Sequence, residues 1–127
     1  MSLTNQIKEY LAEEGLRPQE EEFGLFFRYQ MLSFLVHTDD DDERFLKISL
    51  PHIFDTDENN RVDALEAMNA VNRDWKIVKL LLLDDSVWVT AEQLLDSTPE
   101  LGDVIPRTLT VLMQARDAFY EELKNIQ

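Results

Sequence analysis

The sequence predicts an α+β fold in the order α-β-β-β-α-β-β-α, an antiparallel sheet of about five strands with helices packed on it. Three observations lead there. Apolar residues recur at helical spacing in three stretches, one near each end and one in the middle. Between them lie strand-length runs rich in Val, Ile, Leu, Phe and Trp, bounded by acidic or turn-forming residues. No interval of 20–50 residues repeats, so a solenoid or propeller is not expected. A chain of 127 residues suits a single domain spanning 1–127.

The elements follow in order. Leu3, Ile7 and Leu11, with Tyr10 beside them, mark one face of a first helix. Gly15 can take the left-handed position that closes it, Leu16 can fold back, and Pro18 forbids continuation. From Phe23 to Thr38 the chain reads as β-structure, with Phe23, Leu25, Phe27 and Tyr29 alternating with Gly24, Phe26, Arg28 and Gln30. Sixteen residues exceed one ordinary strand, so a hairpin turn is placed at Tyr29-Gln30-Met31, although no Gly, Asn or Asp supplies a positive φ there. The five acids Asp39 to Glu43 repel one another and read as an exposed turn before a third strand, Arg44 to Leu50.

Pro51 is expected to end that strand. A second helix starts near Asp57 to Asn60 and runs to about Trp75, with Val62, Leu65, Met68, Val71 or Asn72, and Trp75 inward. Lys76 to Leu83, a turn at Asp84-Asp85-Ser86 and Val87 to Thr90 form a second hairpin. In the last segment Ser97 or Thr98 can cap, Pro99 to Asp103 forms a short turn, and Pro106 is expected to bar a longer helix. The main helix then runs from about Val104 to Asn125 on a stripe of Ile105, Leu109, Leu112, Phe119, Leu123 and Ile126.

Composition narrows the function. The formal net charge is −14, yet 44% of the residues are hydrophobic, which suits a packed core rather than disorder. So acidic a surface would be repelled by phosphate, so no nucleic acid is expected as partner, and it would favour protein partners with basic segments. With no cysteine, disulfides, thiolate metal sites and thiol nucleophiles drop out. The first residues lack the pattern of a secretory signal, the longest apolar run is Leu80 to Leu83, and no lipidation signal closes the chain. A cytoplasmic protein that does not enter a membrane is the expectation.

One stretch tempts a metal reading. Asp55, Asp57, Asn59, Asp63 and Glu66 fall at positions one, three, five, nine and twelve of a calcium loop, with Val62 in the apolar eighth place. The sixth position is Asn60 where the sharp turn favours Gly, and a strand rather than a helix leads in. The other reading is an acidic linker that caps the second helix. No catalytic constellation emerges: His37 and His52 are the only histidines, and Asp55 could at most orient the latter. Nucleophile-elbow, phosphate-loop, dinucleotide and zinc motifs are missing, so neither catalytic residues nor a cofactor are expected.

Asn69 and Asn72, one helical turn apart, are poor helix-interior residues. Either their amides lock the helix to a neighbouring loop or strand end, or they bind a partner. The aromatic-rich hairpin and Trp88 supply further candidates. Sixteen β-type residues hold more aromatics than one buried face absorbs, so Phe26, Phe34 and Trp88 join Asn69 and Asn72 as partner-binding candidates.

Leu65-Glu-Ala-Met-Asn69-Ala-Val-Asn72, the hairpin from Lys76 to Trp88, Phe45 to Pro51 and the long final helix together resemble the YbjN-like family, whose members are also labelled bacterial sensory transduction regulators. The resemblance spans about Phe23 to Leu123. It implies a fold similar to that of the small acidic chaperones of type III secretion, generally dimers that hold an extended client segment. It implies no catalytic residues. The expected function is therefore a non-enzymatic, chaperone-like module that binds a protein or peptide and forms a homodimer. A regulatory or ligand-sensing domain, with calcium at the 55–66 loop as one version, is the alternative.

Overall fold

The computed structural model describes residues 2–37 and 44–127. The expected acidic turn at Asp39 to Glu43 lies outside the described residues. Helix α1 (Leu3–Glu13) starts at Ser2, whose hydroxyl accepts the Asn5 N–H at 3.1 Å. It closes with Gly15 at φ 79°, the Gly15 N–H reaching Ala12 O and the Leu16 N–H reaching Leu11 O, so two terminal carbonyls are satisfied. Pro18 then turns the chain into β1 (Gln19–Glu21).

Strand β1 is the sixth strand, which the sequence did not announce. Its three residues are polar and exposed, so no alternation of apolar residues marks it. Strands β2 (Gly24–Tyr29) and β3 (Leu32–His37) form the first hairpin, with Tyr29 opposite Leu32. The turn is Gln30-Met31 at φ 50° and 67°, so two residues without the usual freedom still adopt the left-handed pair a tight hairpin needs. Strand β4 (Phe45–Asp55) continues through Pro51 instead of stopping there. Pro51, His52 and Ile53 bulge out opposite the single residue Trp88, with His52 at φ 54°, and the bulge spares the missing proline N–H from the ladder.

Helix α2 (Arg61–Asp74) turns Ala64, Ala67, Met68 and Val71 inward. Val62 and Leu65, expected inside, are instead 67% and 43% exposed. The two alanines let the helix lie close to its neighbours, which rotates the larger apolar pair outward. Strands β5 (Val78–Leu83) and β6 (Ser86–Leu94) follow, joined at Asp84-Asp85. Helix α3 (Leu101–Ile126) begins a turn earlier than expected and carries Pro106 in its second turn, where the lost N–H bond is one of the first the helix would make. Its cap is Glu100, without a side-chain cap bond, rather than Ser97 or Thr98. Ile126, the last residue of the expected stripe and of the helix, is exposed.

The sheet is antiparallel in the order β1-β2-β3-β4-β6-β5. Inward residues of all three helices join one apolar cluster with Leu25, Phe27, Phe34, Ile48, Val89 and their neighbours. Every helix thus packs on one face of the sheet. Among the described residues no helix lies on the other.

Candidate functional site

The helix-free face follows from the period of two along each strand. If Leu25 and Phe27 point to the helices, Phe26 and Arg28 point away; the same count puts Ser33, Leu35 and His37 there from β3. Phe45, Lys47 and Ser49 of β4, Trp88, Thr90 and Glu92 of β6, and Lys79, Leu81 and Leu83 of β5 complete it. Register aligns Phe26, Leu35, Ser49, Thr90 and Lys79 in one row across five strands.

The middle of that row is polar yet buried. Ser49 is 0% and Thr90 1% exposed. Their hydroxyls bond to one another at 2.8 Å, and His37 Nε2 meets the Ser49 oxygen at 2.7 Å. A buried hydroxyl without a partner would cost on the order of 1–3 kcal/mol, so this chain satisfies β4 and β6 and ties β3 to both. Burial, with Lys47 nearby, pushes the His37 imidazole down to about 4, so the ring is neutral near pH 7. Beside it Lys79 Nζ lies 2.8 Å from Glu92, and that hydrogen bond holds the Glu92 carboxyl below its usual range.

Histidine next to serine invites a catalytic reading, which the geometry does not favour. The Ser49 oxygen is engaged by both His37 and Thr90 and is shut away from solvent, so nothing could reach it as a nucleophile. His52 is exposed and its Nδ1 bonds the Ser86 hydroxyl at 2.8 Å, not Asp55. The face instead offers surface for contact. Trp88 is half-buried, with its ring edge-on to His52 at 5.1 Å. Its Nε1 is sealed from solvent and finds no acceptor among the described residues. Phe26 and Leu81 are half-buried, Leu83 is exposed, and at the far end Phe45 pairs with Leu94, itself 76% exposed.

The remaining candidates scatter. Phe34 is fully buried and stacks on Phe27 at 5.6 Å, so it serves the core rather than the surface. Asn69 is exposed on α2. Asn72 Nδ2 donates to Leu80 O at 3.2 Å while its Oδ1 accepts the Leu80 N–H at 2.7 Å, so the amide clamps helix α2 to the outer edge of β5. In the 55–66 loop, the Asp57 carboxylate accepts the N–H groups of Asn59 and Asn60, and Asn60 Oδ1 accepts that of Asp57. Asp57 and Asn60 thereby form the entry to α2, and β4 rather than a helix leads into them. Among the described residues no three acidic or histidine side chains gather as metal ligands. The polar relay from His37 through Ser49 to Thr90 escaped the sequence reading. Its one trace was a Ser and a Thr inside apolar strands, and only the register brings them together.

Three helices on one face of a six-stranded antiparallel sheet define the structural class. Two solved structures share it: an uncharacterised protein from Methanothermobacter thermautotrophicus, with TM-score 0.70 and 13% identity over 97% of each chain, and E. coli YbjN, a proposed transcription regulator, with TM-score 0.68 and 13% identity over 92% of this chain and 88% of that one. At such identity the likeness is one of fold. No family model and no curated protein matches the sequence. No helix among the described residues is long and apolar enough to cross a membrane.

Proposed function

We propose that the chain is a single, non-enzymatic interaction module of the YbjN-like kind, with a regulatory role exerted by binding protein. The helix-free face is the binding surface, and a second copy of the chain is its first partner. One observation supports this most: the Trp88 indole N–H, dry and without an acceptor among the described residues, lies on the helix-free face one strand in from the β5 edge, beside half-buried Leu81 and near exposed Leu83. Indole and its apolar neighbours bring contact area with one polar handle, the composition of interface centres. A chaperone-like hold on a client segment would use the same face, and the cytoplasm suits that use.

Light scattering on the wild type and on Trp88→Glu tests the reading. The wild type should associate at micromolar concentration, and the variant should be a monomer with unchanged far-ultraviolet circular dichroism. A wild-type monomer at that concentration would remove the homodimer. A Trp88→Glu chain that loses its helical signal would mean the indole belongs to the core.

A further inference from the structure

At one edge of the helix-free face the sheet leaves a gap. Strand β1 covers β2 only from Gly24 to Phe26, with Gln19 opposite Phe26. Continued by two residues, the register would set Arg17 opposite Arg28. It does not continue, because Arg17 adopts φ 49°, outside the extended region a ladder needs. In the tight β2–β3 hairpin the closing residue Tyr29 bonds Leu32, so the backbone groups of Arg28 turn away from β3, toward the space β1 has vacated.

That space is a pocket of about 430 Å³ lined by Leu16, Arg17, Gln19, Phe26, Phe27, Arg28 and Ser33. Its lining combines apolar Leu16, Phe26 and Phe27 with polar Gln19 and Ser33, and its two charges are both positive. Neither Arg17 nor Arg28 has a carboxylate partner among the described residues; Arg28 donates only to the Met31 carbonyl, at 3.2 Å. In a chain of net charge −14 two neighbouring arginines could readily have been paired. Guanidinium forks over an apolar floor recognise carboxylate through paired N–H bonds.

From this charge complementarity we infer that the pocket holds a short acidic segment of a protein partner. One carboxylate side chain lies between Arg17 and Arg28, and an adjacent apolar side chain rests on Phe26, on the helix-free side of the gap. Its volume suits two or three residues. The acidic surface around it, Glu20 to Glu22 included, repels a long acidic tract, so the site selects an isolated carboxylate among apolar neighbours. The inference rests on the interaction reading above and names a class of partner for that face.

The probe is a labelled N-acetyl-Val-Glu-Phe-Val peptide, titrated into the whole chain by fluorescence anisotropy, with amide shifts followed by NMR. The peptide should bind and move the Arg17, Phe26 and Arg28 amides. Its Gln counterpart should bind about tenfold more weakly, and so should Glu peptide to Arg17→Gln or Arg28→Gln. Both substitutions are at exposed residues, and unchanged circular dichroism will show that the fold persists. Equal binding of the Gln peptide, unaffected binding by both variants, absence of binding at millimolar peptide, or displacement by an equal concentration of inorganic phosphate would each overturn the inference. Self-association lost in Trp88→Glu but no peptide binding would sink the pocket and leave the interaction reading standing. Peptide binding without any association through Trp88 would do the reverse.

Discussion

The two outer edges of the sheet are defended in different ways. At β5 the alternating pairing points the backbone groups of Val78, Leu80 and Leu82 outward. Asn72 takes both groups of Leu80, and the Val78 N–H folds back on Lys76 O at 2.8 Å through Ile77 at φ 74°, a tight and strained turn for a β-branched residue. At the opposite edge β1 is three exposed residues long and ends in glutamates, and beyond its start Arg28 stands uncovered. One edge is closed at Val78 and Leu80 by hydrogen bonds that need unusual residues at fixed places. The other is guarded by charge alone. The contrast teaches which edge can receive something: an occupant at β5 must first displace Asn72, whereas one beside Arg28 displaces only water.

The sharpest way to break the contrast is to disturb the strand that carries the open edge. Gly24 pairs with both β1 and β3, and a Cβ built on it would sit 2.3 Å from the Val36 carbonyl oxygen and 2.6 Å from Leu35 Cδ1. The backbone atom cannot step aside as a flexible side chain would. Gly24→Ala should therefore cost about 3 kcal/mol, the upper range for overpacking, measured by chemical denaturation. A cost under about 1 kcal/mol would mean that β2 and β3 shift freely and that the open edge is not rigidly held.

Asn72→Ala attacks the other side. It removes two hydrogen bonds to Leu80 and frees a strand edge at once. The expected loss is about 2 kcal/mol, since each bond contributes roughly 1 kcal/mol. The more telling readout is association that grows with concentration and survives Trp88→Glu, because a bared edge pairs with other edges. If the alanine variant keeps its stability and does not self-associate, the clamp closes nothing and the two edges are equivalent.

These residues also show what the sequence could and could not disclose. The first helix was legible because its apolar spacing and the Gly15 exit are encoded within a few neighbouring positions. Continuation of β4 through Pro51 and of α3 through Pro106 was not. Proline reports a lost N–H, but whether a bulge or an early helix turn makes that N–H dispensable is decided by distant partners. Asn72 could be singled out as an odd helix residue, while its mate Leu80 could be known only once α2 and β5 were placed. Arg17 and Arg28 gave no local signal at all. They meet because the backbone of Arg17 leaves the ladder before a strand too short and too polar to be recognised.

The smallest predicted effect lies at the seam between the two halves of the sheet, where His37 of β3 joins Ser49 and Thr90 of β4 and β6. Its ring titrates near 6.5 in the unfolded chain and is pushed down to about 4 by burial in the fold, with Lys47 adding to the shift and Glu92 opposing it. Between those values the unfolded chain binds a proton that the folded chain refuses. The contribution of the neutral ring is thus complete above about pH 6.5 and is lost as pH falls toward 4. The ring is only partly buried, so screening by solvent reduces the loss to about 1 kcal/mol. His37→Gln keeps a hydrogen-bonding group within reach of Ser49 but cannot titrate. Urea denaturation of both proteins across that range should show their stabilities converging toward, or shifting in favour of, the variant as pH falls. Protonation of the many surface carboxylates relieves repulsion in both alike and cancels in the difference. A difference that stays flat with pH would mean that the imidazole is as well hydrated in the fold as outside it, and that the relay does not bind the open-edged half of the sheet to the closed one.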